Sequence, residues 1–111
     1  MPGYNLMALK EEATMATYIT VGNFTDQGIR GIRDTTKRAA AVKEVGKKAG
    51  VTIKEIYWTM GQFDVIVIYE APDDASMSAL ALALGAAGNV RGQTLRAYSG
   101  EEMDAVLKKM P

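Results

Sequence analysis

The chain has 111 residues, enough for one domain with one hydrophobic core, and its 13 Lys and Arg residues balance its 13 Asp and Glu residues. This balance argues against nucleic-acid binding, which needs a surplus of cations against phosphate. The absence of Cys and His removes disulfides, thiolate and imidazole metal ligands and the commonest general base. We therefore expect no metal and no cofactor.

The N-terminal region carries no targeting signal that we recognise. Residues 1–14 lack the basic start and long apolar stretch of a secretory signal, and no apolar run in the chain approaches the roughly 20 residues of a membrane helix. We expect a cytoplasmic protein without a membrane partner. Residues 1–14 read as an N-terminal extension, either a flexible arm or an arm that packs on a neighbouring subunit.

The first well-patterned segment is a strand followed by a helix. Residues 16–24 are rich in β-branched and aromatic side chains, which predicts a strand, and residues 25–28 read as a loop. Asp34 is a suitable N-cap for a helix that runs to about Ala49, and Gly50 suits the position just after it.

The middle of the chain predicts a β-hairpin. Residues 51–60 form the second predicted strand, the tetrapeptide Gly61-Gln62-Phe63-Asp64 forms a turn, and residues 63–70 form the third strand. The run 65–68 is apolar at successive positions, so both faces of the third strand should be covered.

The last third predicts a helix, a strand and a final helix. Asp73 or Asp74 can cap a helix to about Ala86, and residues 89–98 read as the fourth strand. Ser99 and Glu102 have the spacing of a capping box for a helix over 101–109. We divide the chain into an extension, 1–14, one domain, 15–98, and a C-terminal helix, 99–111.

The element order is β-α-β-β-α-β, which predicts a ferredoxin-like α+β fold with a four-stranded antiparallel sheet and both helices on one face. The other sheet face would then be apolar and uncovered, which is rare for a monomer. We expect a homodimer or a higher homo-oligomer with sheets packed face to face. The alternative is that the terminal helix or the N-terminal arm covers this face.

Segments 18–28, 57–64, 70–74, 88–91 and 94–96 together carry a family pattern. Through them, residues 15–103 resemble the GYD domain family of the dimeric α+β barrel superfamily. The eponymous Gly-Tyr-Asp stands here as Gly61-Gln62-Phe63-Asp64, so the Tyr hydroxyl is missing and a Gln is inserted. The resemblance implies the fold and dimerisation, but no general activity. The hairpin also looks like the effector-binding domain of leucine-responsive regulators, which bind small molecules between subunits.

Five residues are candidates for ligand binding, each with a structural alternative. Asp64 either binds turn backbone N–H groups or points at a ligand amine or a partner Arg. Trp58 either packs in a core or interface, or lines a pocket. Asn23 on an apolar strand needs hydrogen-bond partners, with Arg91 as one candidate. Arg91 is either an edge-strand charge or an anion contact, and Phe63 keeps the aromatic position of the hairpin.

Two functions fit this sequence, and whether the protein is an enzyme stays open. The first is a regulatory or binding module that holds a small metabolite at or near a subunit interface. The second is a cofactor-independent monooxygenase- or isomerase-like enzyme, which would need a polar pocket within each subunit. A purely structural oligomer is a third possibility.

Overall fold

The computed structural model describes residues 15–111, so the predicted extension at 1–14 lies outside the described residues. The strands are β1 (Ala16–Phe24), β2 (Thr52–Trp58), β3 (Val65–Ala71) and β4 (Val90–Ala97). The helices are α1 (Asp26–Arg30), α2 (Thr35–Lys48), α3 (Asp74–Ala87) and α4 (Gly100–Leu107), with a 3-10 turn at Ile32–Asp34 before α2.

The four strands form one antiparallel sheet in the order β2-β3-β1-β4. This arrangement confirms the predicted ferredoxin-like α+β fold, including the C-terminal helix. The two central strands, β1 and β3, pair in the register Thr20 to Val67, and β1 also pairs with β4 in the register Thr20 to Thr94. Thr20 therefore lies at the centre of the sheet, between Val67 of β3 and Thr94 of β4.

The buried core lies between α3 and the sheet, at the end where α2 turns into β2. Tyr69, Met77, Leu80 and Val51 are almost fully buried and belong to one cluster with Tyr18. Met77 and Leu80 lie one turn apart on α3, so a single stripe of that helix covers the sheet. Truncating a buried Leu of this kind to Ala costs about 2–5 kcal/mol.

The helix ends agree with the sequence at three places and differ at one. Ser99 and Glu102 form the predicted capping box of α4, and Gly50 after α2 has φ +78°, a conformation that suits glycine. Asp73 is the N-cap of α3 and accepts from the Ser76 N–H at 2.7 Å. Asp34 stands at the N-cap of α2 without a side-chain cap hydrogen bond.

The predicted loop after β1 begins a short helix, α1. Thr25 caps it, because its side-chain oxygen accepts from the Gly28 N–H at 3.0 Å. Gly28 is buried against the carbonyl group of Asn89, and a Cβ at this position would lie 2.0 Å from that oxygen. Only glycine, which has no Cβ, allows α1 to approach the Asn89 backbone this closely.

Within residues 15–111, one sheet face is covered by α2 and α3, whereas no helix covers the other face. Tyr18 and Thr20 face the helices, so by strand alternation Ile19 and Val21 face away. The register places apolar side chains beside them. We call this surface the open face, and its apolar residues are Ile19, Val21, Tyr57, Ile66, Ile68 and Leu95. Tyr57 is 52% exposed and Leu95 47% exposed.

The outer strand β2 contains an irregularity. Its pairing with β3 shifts register between Ile53 and Glu55, which leaves Lys54 as the extra residue of a β-bulge. Lys54 forms an ion pair with Glu70 of β3 at 3.1 Å. The β2 edge of the sheet therefore carries a lysine within the strand.

Candidate functional site

A cleft of about 540 Å³ lies between the sheet and the pair of helices α2 and α3. On α2, Thr35, Arg38, Ala39 and Val42 line it at helical spacing, so they form one face of that helix. Small side chains on this helix face, including Ala39, leave room for the cleft. A cavity of this size with a mostly apolar lining is typical of small-molecule sites.

The floor of the cleft carries a chain of three hydroxyl groups. The Tyr69 hydroxyl donates to Thr20 Oγ1 at 2.8 Å, and Thr20 Oγ1 lies 2.8 Å from Thr94 Oγ1. Tyr69 is buried, and this burial raises the pKa of its phenol above the ordinary value. The phenol therefore keeps its proton at neutral pH, and we call these three residues the hydroxyl chain.

Arg38 provides a cation on the cleft wall. Its Nη1 donates to the Gly31 carbonyl oxygen at 2.5 Å, and its Nη2 donates to the Gly28 carbonyl oxygen at 3.1 Å. These two bonds fix the guanidinium beside α1 and the turn that follows. They use two of the five N–H donors of a guanidinium, so further donors remain.

Trp58 is the only Trp of the chain and also lines the cleft. Its Nε1–H donates to Thr35 Oγ1 at 2.9 Å, which joins the end of β2 to the start of α2. The ring is 42% exposed, so it is neither a core residue nor a free surface residue. It stands at the edge of the cleft with its polar atom satisfied.

Asp64 connects the β2–β3 hairpin to the end of β1. Its Oδ2 accepts from the Phe24 N–H at 2.9 Å, and its own N–H donates to the Gly22 carbonyl oxygen at 2.9 Å. The Asp64 carbonyl oxygen accepts from the Thr59 N–H at 2.8 Å, which closes the hairpin. The carboxylate thus binds a backbone N–H group of β1, beyond its own turn.

The remaining predicted site residues lie at two other places. Phe63 is in the hairpin, 36% exposed, and its carbonyl oxygen accepts from Thr59 Oγ1 at 2.6 Å. Asn23 is exposed and lies directly opposite Arg91 in the β1–β4 register. The cleft lining includes Trp58 and Arg91. The structure therefore brings Asn23 beside Arg91, and brings Trp58 and Arg91 to the same cleft.

Sequence reasoning missed Arg38 and the hydroxyl chain. Arg38 reads as one more cation on a basic helix, and only its spacing from Thr35 and Val42 signals that it belongs to the inward face. Thr20 and Thr94 look like ordinary strand residues. Their meeting depends on the pairing of strands distant in sequence, which the sequence does not reveal.

A second polar cluster lies where α4 meets β4. The Tyr18 hydroxyl donates to Asp74 Oδ1, and burial together with this bond raises the pKa of Tyr18 to about 12. Arg96 pairs with Glu102 at 2.7 Å, and that bond lowers the pKa of Glu102. The Arg96 guanidinium also lies 4.7 Å from the ring centre of Tyr98. This cluster secures the start of α4.

Two further findings concern residues 15–111. They contain no group of three or more acidic side chains placed to hold a metal ion. In the same part of the chain, no helix is long and apolar enough to cross a membrane.

Comparison with known proteins places this chain in a family. The model of the GYD domain family matches residues 18–107. The chain belongs to the GYD domain family. This GYD domain protein is also 30% identical over 95 residues to a Thermus thermophilus protein described as a glutamine synthetase and cystathionine beta-lyase binding protein, which covers 85% of this chain and 100% of the relative.

Among solved structures, the GYD domain protein is similar to the crystal structure of MtbAldR. The TM-score is 0.56 at 13% sequence identity, and the match covers 87% of this chain. The chain spans 65% of the length of that MtbAldR chain. At this identity the likeness supports the fold alone, and it agrees with the family match.

Proposed function

We propose that this GYD domain protein is a binding module that holds a small molecule in the cleft under α2 and α3. The observation that carries the proposal is the cleft itself, about 540 Å³ between one sheet face and two helices. Its lining combines aliphatic side chains such as Val42 and Val67 with a few polar groups, as small-molecule sites do. The Thermus relative is described as a binding protein for two enzymes, which supports a binding role but says nothing about a small molecule.

Two results together test this proposal. A small molecule that binds the folded state raises the melting temperature, by an amount that grows with its concentration. Filling the cleft with Ala39→Trp should abolish that rise, because the indole would occupy ligand space. Ala40→Trp is the matched control, since Ala40 is the exposed neighbour on α2. A ligand response that survives Ala39→Trp in a folded protein would contradict the proposal.

We propose further that two copies pack through the open face. Ile19 lies between Ile68 and Leu95 in the register, and Val21 lies beside Ile66, so the apolar residues are contiguous over three strands. A contiguous apolar surface of this kind is characteristic of an interface. Asn23 and Arg91 stand at one end of it and would be polar contacts at the rim, where the predicted interface ligand site would lie.

Sedimentation velocity at micromolar concentration tests the dimer. We expect a species of twice the 12.0 kDa chain mass. Ile19→Lys places a charge in the centre of the open face and should yield a folded monomer. Ile29→Lys is the control, because Ile29 is 54% exposed on α1, outside that face. A wild-type monomer would overturn the assembly but leave the cleft proposal standing.

An enzyme of the superfamily remains the second candidate, supported by one observation. Tyr69 presents a phenol hydroxyl, bonded to Thr20, to a cavity within one subunit. General acid catalysis uses such a group when the substrate reaches it. Turnover of a bound compound that is lost in Tyr69→Phe, with binding retained, would favour this candidate over a binding module.

A further inference from the structure

The charge and the hydroxyl groups of the cleft indicate the class of ligand. Resting on the proposed small-molecule function, we infer that the cleft binds an apolar carboxylic acid, with the carboxylate at Arg38 and the apolar body along the aliphatic walls. The inference depends on the charges of the cleft, the count of its hydroxyl protons and the shape of its apolar part.

The charge of the cleft is positive. Within residues 15–111, Arg38 is the cation whose guanidinium lies on the cleft wall, and no carboxylate lines the cleft. Arg91 also borders the lining, but it lies opposite Asn23 in the register and so belongs to the open face by strand alternation. The ion pairs in that part of the chain join other residues, namely Lys47 to Glu44, Lys54 to Glu70 and Arg96 to Glu102. Arg38 is partly buried and bonds to two neutral carbonyl groups. A partly buried cation without a counter-ion favours an anionic ligand.

The hydroxyl chain also offers a donor. Tyr69, Thr20 and Thr94 carry three hydroxyl protons, and the two hydrogen bonds among them use two. Because Tyr69 donates to Thr20, the remaining proton belongs to Thr94 or Thr20, whichever of the two does not donate to the other. Both Arg38 and the hydroxyl chain therefore have a hydrogen-bond donor available for a ligand. A ligand ammonium group would find no acceptor of opposite charge on these walls, whereas a carboxylate finds donors.

The rest of the wall suits an apolar body. Ala39 and Val42 of α2 face Ala81 and Leu84 of α3 across the cleft, and Val67 lies below them. Small and aliphatic side chains on both helices leave a trough without further charge. Burying an alkyl chain there contributes about 0.8 kcal/mol for each methylene group. An acid with a chain of several carbons thus gains binding free energy both from its carboxylate at Arg38 and from its buried chain.

Three probes of equal length separate the possibilities: octanoate, octanamide and octylamine, each below its micelle concentration at neutral pH. Trp58 reports on binding, because it is the only Trp and it lines the cleft. Binding of each probe is also measured as a shift in the melting temperature. We expect octanoate to bind roughly tenfold more tightly than octanamide, the advantage of a charge-assisted hydrogen bond of about 1.5 kcal/mol. Octylamine should bind most weakly.

Variants locate the carboxylate. Arg38→Gln should bring octanoate down to the affinity of octanamide while octanamide binding persists. Lys37→Gln is the matched control, because it removes the same charge from the exposed neighbour and should keep the tenfold preference. The wild-type preference needs no variant, so the test remains valid if Arg38→Gln loosens α1.

The outcomes distinguish this inference from the function on which it rests. If octanamide or octylamine binds as tightly as octanoate, the cleft binds small molecules but the acid class is wrong. If the preference for octanoate survives in folded Arg38→Gln, the anchor is wrong. If none of the three probes shifts the fluorescence or the melting temperature, and a broad compound screen also fails, the proposed function itself falls.

Discussion

Replacing Gly28 with Ala should damage both the stability of the fold and the cleft. A Cβ at Gly28 would lie 2.0 Å from the Asn89 carbonyl oxygen, whereas real contacts of this kind stay above 3.0 Å. The obstacle is backbone, so α1 must move by about 1 Å. That movement weakens the bonds from Thr25 to the Asn89 carbonyl oxygen at 3.1 Å and to the Gly88 carbonyl oxygen at 2.6 Å.

The expected cost combines overpacking, about 1–3 kcal/mol, with the partial loss of two hydrogen bonds, about 1 kcal/mol each. We therefore expect about 2–4 kcal/mol, which corresponds to a fall in melting temperature of roughly 10–25 °C for a domain of this size. Because Arg38 donates to the Gly28 carbonyl oxygen, octanoate affinity should fall as well.

Gly85→Ala is the control for this substitution. Gly85 lies inside α3 and a Cβ there meets nothing within 4 Å. Alanine has the higher helix propensity, so we expect this variant to gain about 0.5–1 kcal/mol. Thermal and chemical denaturation of both variants are monitored by circular dichroism. If Gly28→Ala melts within a few degrees of the wild type, the close approach of α1 to Asn89 is wrong.

Three further predictions concern other parts of the fold. The pKa of Tyr18 is about 12 in the folded state, above its unfolded value, so its contribution to the free energy of unfolding is complete below about pH 10 and is lost as the pH rises toward 12. Tyr18→Phe should therefore flatten the fall in the free energy of unfolding over that pH range. An unchanged slope would contradict this. Asp64→Ala should cost about 1–3 kcal/mol in chemical denaturation, because the Phe24 N–H loses its partner, while Asp64→Asn should recover part of it. Ser99→Ala should cost about 1 kcal/mol and increase amide hydrogen exchange in the first turn of α4 alone.

The order of elements was predictable because each carries a local signal. Alternating and β-branched residues indicate the strands, and the α4 capping box was visible from Ser99 and Glu102. The boundaries were less predictable: β3 begins at Val65, two residues later than expected, because Thr59 to Asp64 form a longer connection with Gly61 at φ +107°. The helix α1 was missed although Thr25 is a local N-cap signal for it, whereas the close approach of Gly28 to Asn89, 61 residues later, depends on the fold.

The candidate site was less accessible to sequence reasoning than the fold. Trp58 and Arg91 were selected by residue type and do line the cleft. Arg38 and Thr94 were missed because their significance depends on which surface they share. The cleft is a product of the angle at which two helices lie over a sheet, and the sequence specifies the helices without specifying the space between them.

The β-bulge at Lys54 bears on how copies of this protein can assemble. A straight outermost strand offers a row of free backbone groups to any other extended chain, which leads to indefinite ribbons. Here the extra residue, Lys54, bends the edge strand β2. Its charge would also have to be dehydrated before another strand could pair with β2. Sideways pairing at the β2 edge is thereby discouraged, which agrees with the proposed association of two copies through the open face.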